Sequence, residues 1–292
     1  MNLRVGEVVL KSADYLRAKG VESPRLDAEL LLAHVLGTDR LKLYMEWDKP
    51  LLEIELSAYR EAIRRRGADR EPVVRILGRR EFYGRDFDVV PNVFAPRPET
   101  EGLVERATAF LKLNPPPDGR RPTVFDVGTG SGCIITSILA EEPNAEGVAS
   151  DRSPHALALA RRNAHRHRVD QRLVFREGDL FAGYDGPLWV LVSNPPYIAK
   201  GQLKGLPPEV GKFDPSLALD GGPDGLDIVR RLAEEGARLV LPGGFVALEF
   251  GEEQGLDAAA IFNASGAWGD VRVEQDLAGH DRYLVGRRGR LL

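Results

Sequence analysis

Residues 123–140 read Thr123-Val124-Phe125-Asp126-Val127, then Gly128-Thr129-Gly130-Ser131-Gly132, then an apolar run from Cys133 to Ala140. A β-branched and aromatic run, a turn of alternating glycines and a helix-length apolar stretch form the opening of an α/β unit. Glycines let the chain turn sharply and let a ligand approach without a Cβ in the way. The spacing is D-x-G-x-G-x-G, not the G-x-G-x-x-G of dinucleotide folds, whose helix N-terminus faces a pyrophosphate. It suits a ligand lying across the loop, with Asp126 facing a cationic amino or sulfonium group.

Downstream of this stretch, strands are expected at 146–150, 172–176, 188–193 and 244–250. Helices are expected at 132–141, 154–167, 224–239 and 252–263. Such alternation predicts a mostly parallel sheet covered on both faces. Two last strands near 271–275 and 282–287 have no helix between them, which predicts an antiparallel hairpin at the sheet edge. Upstream, a helix at 99–112 follows a region where the apolar period shortens towards two. Val73–Leu77 and Phe87–Val90 there flank Gly78 and Gly84 and predict a β-hairpin. The first seventy or so residues show a helical period throughout: Val5 to Leu16, Arg25 to Leu36, Leu41 to Trp47 and Leu51 to Arg66. The expected organisation is a helical domain over 1–71, a hairpin linker over 72–96 and an α/β domain over 97–292.

Two acids stand where strands end. Asp151, nineteen residues past Gly132, can accept both hydroxyls of a ribose, and Asp179 in Glu177-Gly178-Asp179-Leu180 can accept from an adenine amino group. The plain alternative for Asp151 is a helix cap, since Ser153-Pro154 follows. A glycine loop, a ribose acid and an adenine acid at three successive strand ends point together to an adenosine with a positive centre, S-adenosylmethionine.

The strand Leu188-Trp189-Val190-Leu191-Val192 ends in Ser193-Asn194-Pro195-Pro196-Tyr197. Two prolines remove two backbone donors and stiffen the loop, leaving carbonyls to accept. The Asn194 side-chain oxygen and the Pro195 carbonyl are then natural acceptors for the two hydrogens of a planar NH2 group. Tyr197 offers a flat face on which an amide or a base can stack. An amide nitrogen is a poor nucleophile because its lone pair is delocalised. Two acceptors on its hydrogens stabilise the charge that develops as it attacks a methyl group.

Composition narrows the partners. Forty Lys and Arg against forty-four Asp and Glu leave a net charge of −4, which argues against a chain held to nucleic acid by bulk positive charge. The single cysteine, Cys133, excludes an intramolecular disulfide, and no Cys/His spacing suggests a metal. The opening residues lack a signal peptide's apolar run, and no stretch approaches the ~18 apolar residues of a membrane span. A cytoplasmic, monomeric protein is expected.

The set PRPETE (Pro96 to Glu101), DVGTGSG (Asp126 to Gly132), SNPPY (Ser193 to Tyr197), PEVGKFDPSLALDGGPDGL (Pro208 to Leu226) and DLAGHDR (Asp276 to Arg282) resembles the protein-(glutamine-N5) methyltransferases of the bacterial HemK/PrmC type. These modify peptide chain release factors. The resemblance is close from about Glu71 to Gly286, and the helical N-terminus is also that family's arrangement. It implies a seven-stranded, Rossmann-like class I methyltransferase sheet, a small N-terminal helical bundle for substrate recognition and a linking β-hairpin. It further implies S-adenosylmethionine as donor, S-adenosylhomocysteine as product, and the glutamine of a class 1 release factor's Gly-Gly-Gln loop as acceptor. Carried onto this chain, the cofactor residues are Asp126, Gly128, Thr129, Gly130, Ser131, Gly132, Asp151, Asp179, Leu180 and Asn194. Asn194, Pro195, Pro196 and Tyr197 hold the amide, with Arg97, Glu99 and Thr100 at the substrate mouth. The family often has an aromatic residue where Leu180 stands. The competing readings are an amino methyltransferase of nucleic acid, which shares the Asn-Pro-Pro-aromatic loop and needs a basic face, and a non-catalytic binding module.

Overall fold

Apolar residues spaced three and four apart build the N-terminal elements. Val5, Val8, Val9, Ala13 and Leu16 are buried along one side of α1 (Val5–Ala18), as a 3.6-residue period requires. Helices α2 (Pro24–Val35), α3 (Arg40–Met45) and α4 (Glu53–Gly67) follow. Asp39 caps α3 by accepting from the Lys42 backbone N–H at 2.8 Å. Leu31, Leu32, Leu43, Leu56, Tyr59 and Ile63 complete the helical core. The computed structural model describes residues 3–289.

Residues 73–77 correct one expectation. They form a short helix, α5 (Val73–Leu77), ended by Gly78 at φ 68°, not a strand. Val73, Ile76 and Leu77, at i, i+3 and i+4, pack on the helical core, so burial at a helical period overrides the strand propensity of a short apolar run. The hairpin is built from the residues that follow. Strands β1 (Arg79–Phe82) and β2 (Arg85–Asp88) flank Tyr83-Gly84, at φ 51° and 69°. A two-residue turn with both φ positive matches the twist of paired strands.

The α/β unit begins with α6 (Glu101–Leu113), after a 3-10 turn over Pro98–Thr100. Then come β3 (Thr123–Val127), α7 (Cys133–Glu141), β4 (Glu146–Asp151), α8 (Pro154–Arg166), β5 (Leu173–Glu177) and β6 (Leu188–Ser193). A one-turn helix α9 (Pro208–Gly211), α10 (Asp227–Leu239), β7 (Val240–Glu249), α11 (Gly255–Ala264), β8 (Trp268–Gln275) and β9 (Asp281–Arg288) complete it. Seven strands form one sheet in the order β5-β4-β3-β6-β7-β9-β8. The first five pair in parallel, and β9 runs antiparallel between β7 and β8. The expected terminal hairpin is present, with β8 at the edge. Neighbouring residues of β3 feed opposite faces. Val124 packs with Ile134, Ile135 and Ile138, whereas Phe125 packs with Phe181, Val229 and Phe262. From β3 the chain steps outward to β5 and then returns to lay β6 on the other side of β3. The loops leaving β3 and β6 therefore diverge, and in an open α/β sheet that crevice is where ligands bind.

The chain falls into two compact units. One comprises the described residues up to Arg79 with Pro207–Phe213, and the other comprises Arg80–Leu206 with the chain from Asp214 onward. The inserted segment is tied to the helices by charge. Glu209 accepts from Arg66 at 3.0 Å and from Arg70 at 2.7 Å, and Arg66 also pairs with Asp27 at 2.6 Å. Breaking one partner of so buried a network costs more than an exposed pair would, because the other charge is left in a poor dielectric.

Candidate active site

The glycine loop leaves β3 as an open concavity. Gly128 and Gly130 sit at φ 70° and 55°. A Cβ on Gly128 would meet nothing within 4 Å, and one on Gly130 only the Gly128 carbonyl at 3.9 Å. The loop is anchored from three sides. Thr129 N–H donates to the Ser150 carbonyl at 2.9 Å, and Gly130 N–H to Asp151 Oδ2 at 2.9 Å. Asn163 Nδ2 donates to the Ser131 carbonyl at 2.9 Å while its Oδ1 accepts from Asp88 N–H at 3.0 Å. The Thr129 and Ser131 side chains point inward and are buried.

Asp126 lies beneath this loop with no exposed surface. Its Oδ2 accepts from Thr129 Oγ1 at 2.7 Å, while Oδ1 has no hydrogen-bond partner. Burial pushes its pKa up to about 7, against the pull of the Thr129 hydroxyl. An open, glycine-floored cradle above a half-satisfied carboxylate fits a ligand carrying a positive centre.

Asp151, at the end of β4, braces the glycine loop and the turn before α8 and is not itself the cap of that helix, which is Ser153. Oδ2 takes Gly130 N–H, and Oδ1 takes Ser153 N–H at 2.8 Å just before α8, where Ser153 Oγ itself caps Ala156 N–H. Each carboxylate oxygen keeps a lone pair for a further donor. Asp179 is exposed and ion-paired, with Arg231 at 2.7 Å and Arg152 at 3.9 Å. Leu180 adopts φ 43°. Its side chain belongs to the core beside Phe125 and Val127, and its carbonyl accepts from Ser150 Oγ.

The Asn-Pro-Pro-Tyr loop leaves β6 next to the glycine loop, since Ser193 pairs in register with Val127 and donates from Oγ to its carbonyl at 2.7 Å. Asn194 Nδ2 donates to Thr100 Oγ1 at 3.0 Å. That commits the amide nitrogen and leaves Oδ1 to accept. Pro195 is buried, and Pro196 and Tyr197 are half-buried. Burial, helped by Glu249 nearby, pushes the Tyr197 phenol up to about 12. The segment after Tyr197 is zipped to Leu219–Gly222: Ile198 N–H donates to the Leu219 carbonyl, and Gly221 N–H returns to the Ile198 carbonyl, both at 3.0 Å. Gly225 at φ 82° lets the backbone pass so close that a Cβ would lie 2.2 Å from the Tyr197 carbonyl, which is why this stretch is glycine-rich.

Arg97 pairs with the buried Asp214 at 2.7 Å and lies over the Phe94 ring. Glu99 is exposed, and its carbonyl accepts from Tyr283 Oη. Three contributors escaped sequence reading. Asn163 braces the glycine loop, Asp214 holds Arg97, and Glu249 ends β7 as a buried acid beside Thr100. Asn163 alone left a signal: with Ala156, Leu159, Ala160 and Ala164 it falls on the buried face of an otherwise charged helix.

A doubly wound seven-stranded sheet whose switch-point loops are a D-x-G-x-G-x-G cradle and an Asn-Pro-Pro-Tyr turn defines a class I S-adenosylmethionine-dependent methyltransferase. Solved structures share the fold: a methyltransferase from Pyrococcus furiosus (TM-score 0.50, 20% identity, 71% of this chain and 91% of that one) and the hMettl16 catalytic domain in complex with MAT2A 3′UTR hairpin 6 (TM-score 0.55, 12% identity, 80% and 81%). Residues 7–78 match the PrmC N-terminal domain and residues 88–206 the methyltransferase small domain. Release factor glutamine methyltransferases from Geobacter sulfurreducens and Moorella thermoacetica are 43% and 40% identical. The first alignment covers 94% of this chain and 93% of that one, the second 99% of each. The chain belongs to the release factor glutamine methyltransferase family.

Proposed function

We propose that the chain moves the methyl group of S-adenosylmethionine to the side-chain amide nitrogen of the glutamine in the Gly-Gly-Gln loop of class 1 peptide chain release factors. The observation that carries this reading is the state of Asn194, whose amide nitrogen is held by Thr100 so that Oδ1 is left to accept beside the glycine cradle. When bound, S-adenosylmethionine supplies an electrophilic methyl on a sulfonium centre. Gly128 and Gly130 line its cradle, Gly132 lets the loop pack against Ala160 of α8, where a Cβ would lie 2.9 Å away, and Thr129 and Ser131 shape the loop from below. Asp126 lies underneath, where a sulfonium centre would favour its ionised form, and Asp151 accepts the ribose hydroxyls on its remaining lone pairs. Asp179 and Leu180 stand at the adenine end, where Leu180 contributes through its backbone turn and apolar bulk.

Asn194 Oδ1 and the Pro195 carbonyl accept the two amide hydrogens of the acceptor glutamine. They favour pyramidal nitrogen and stabilise its growing positive charge in a site shaped for it. The proton becomes acidic as the N–C bond forms and leaves to solvent, so no strong base is required. Pro196 stiffens the loop. Tyr197 stays protonated, and its ring acts as a flat neutral wall for the amide, while Arg97 and Glu99 border the mouth.

A Gly-Gly-Gln loop offers two residues without side chains and one amide, so choosing a whole release factor needs contacts elsewhere. We assign that second contact to the helical unit, which takes in α5 and Pro207–Phe213 beyond the expected bounds, with the β1–β2 hairpin leading into the methyltransferase domain. The protein acts in the cytoplasm as a monomer, without stable nucleic-acid binding. Among the described residues no helix is long and apolar enough to cross a membrane. Mass spectrometry of a release factor incubated with the protein and S-adenosylmethionine should find one methyl on that glutamine. Asn194→Ala should lower turnover about 10²–10³-fold with little loss of cofactor affinity. Methyl uptake by RNA or DNA instead would overturn the reading.

A further inference from the structure

Two prolines leave the Asn-Pro-Pro-Tyr loop short of backbone donors, so its far end must be held by groups from elsewhere. Ile198 exchanges both its backbone bonds with Leu219 and Gly221. The Tyr197 carbonyl is held by a side chain instead: Gln254 Nε2, fifty-seven residues on, donates to it at 2.9 Å. The same side chain makes two further bonds. Nε2 gives its other hydrogen to the Asp224 carbonyl at 3.2 Å, and Oε1 accepts from Gly251 N–H at 2.9 Å. Two carbonyls and one N–H, backbone groups whose roles cannot reverse, dictate which end of the amide is nitrogen.

Gln254 is half-buried and stands just before α11, where its own backbone N–H closes a turn onto the Gly251 carbonyl at 2.8 Å. The bonds to Gly251 would be enough for an entry to that helix. The two side-chain donors leave the turn and reach the loops after β6 and before α10. Packing around the amide is as close as its bonding. A Cβ on Gly225 would lie 2.4 Å from Gln254 Nε2, and one on Gly251 would lie 3.0 Å from Oε1 and 3.4 Å from Tyr197 Cδ2. The Tyr197 ring therefore runs along the Gly251 backbone. Gln254 holds both the carbonyl of Tyr197 and the N–H of the residue against which its ring lies.

We propose that Gln254 is a positioning residue that fixes the downstream end of the Asn-Pro-Pro-Tyr loop, and with it the Pro195 carbonyl and the Tyr197 ring, for methyl transfer. This rests on the reading of that loop as the holder of the acceptor amide. Gln254 acts through the Tyr197 backbone and not on the reacting atoms. Without it, Pro195 and Pro196 have no N–H with which to tie the loop down. A small shift of an acceptor costs turnover, because the amide nitrogen is then misaimed at the methyl group. The glycine cradle lies on another strand end, so the effect belongs to turnover and not to cofactor binding.

The test is a pair of substitutions in the full-length protein, assayed with an intact release factor. Gln254→Glu keeps an acceptor for Gly251 N–H but, when ionised, has nothing to donate to Tyr197. At neutral pH its kcat should fall roughly 10- to 100-fold, as a misaligned partner does. KM for the release factor and Kd for S-adenosylmethionine should change less than about 3-fold on the same reasoning. Two carbonyls beside the new carboxyl disfavour its charged form, so it titrates above the ordinary carboxylate range. Protonated, it regains one donor for Tyr197. Its kcat relative to the unsubstituted protein at the same pH should therefore climb as pH falls. Gln254→Met, which keeps the length and loses every polar atom, should show the same split with a loss that does not depend on pH. Near-normal kcat in either folded variant, or a Gln254→Glu deficit of the same size at every pH, would overturn the proposal while leaving the role of Asn194 intact. Near-normal kcat in Asn194→Ala would remove that role and this proposal with it. If Gln254→Glu does not fold, Gln254→Met decides: a loss that falls on KM or Kd and spares kcat overturns the positioning role.

Discussion

Replacing Asp151 with alanine separates the ribose-binding role proposed for it from its bracing of the glycine loop and the turn before α8. The carboxylate accepts from Gly130 N–H at 2.9 Å and from Ser153 N–H at 2.8 Å. Hydrogen bonds to a charged acceptor contribute ~1.5–3 kcal/mol each, less what water recovers, so the ligand-free variant should lose about 2–4 kcal/mol of stability. If the remaining lone pairs hold the two ribose hydroxyls, S-adenosylmethionine should bind about 3 kcal/mol more weakly, roughly 100-fold in Kd. Part of that loss arises because Gly130 is no longer pinned and the cradle must be ordered on binding. Ser153→Ala is the control: it removes the cap on Ala156 N–H and should cost ~1 kcal/mol of stability with Kd unchanged. Thermal denaturation of the free protein and titration calorimetry with the cofactor read the two quantities separately. An Asp151→Ala protein that melts earlier but binds within about 3-fold of normal, against the ~100-fold expected, would refute the ribose assignment and leave only the bracing of the loop.

Gly225→Ala would place a Cβ 2.2 Å from the Tyr197 carbonyl at φ 82°. Strain of roughly 1–3 kcal/mol should appear as a lower melting temperature and at least a ten-fold fall in kcat, with cofactor titration unaffected. A chain beginning at Arg70, with Glu209→Gln to spare the charge that pairs with Arg66, should still bind S-adenosylmethionine yet methylate an intact release factor far more slowly. Full activity on the intact factor would remove the helical domain's role. Asp126 and Glu249 both have pKa values raised by burial to about 7, from 3.8 and 4.5. Their protonated forms favour the folded state, so the stability they contribute is complete below the ordinary carboxylate range and is lost as pH rises to about 7. Melting curves of the ligand-free protein should show that decline, and Asp126→Asn with Glu249→Gln should flatten it.

What was legible from sequence was what local physics decides. The period-two and period-3.6 runs located the seven strands and the helices between them to within a few residues. The glycine spacing and the Asn-Pro-Pro-Tyr run marked both switch-point loops. The failure at Val73–Leu77 shows the limit: five apolar residues suit strand or helix equally, and only the helical core they pack on settles it. Asp179 shows another. Nothing local announces that Arg231, fifty-two residues on, will pair with it at 2.7 Å.

The sequence by itself determined the fold class, the succession of the seven strands, the two loops and the chemistry their residue types allow, because these rest on backbone conformation and burial pattern within short windows. Only the tertiary structure decided that the Asn194 amide nitrogen is held by Thr100, that Asp151 braces the cradle and the start of α8 together, and that Asn163 and Glu249 are buried behind these loops. Those outcomes depend on hydrogen-bond partners and desolvation supplied by strands and helices far apart in the chain, and a residue's neighbours in space are not written in its neighbours in sequence.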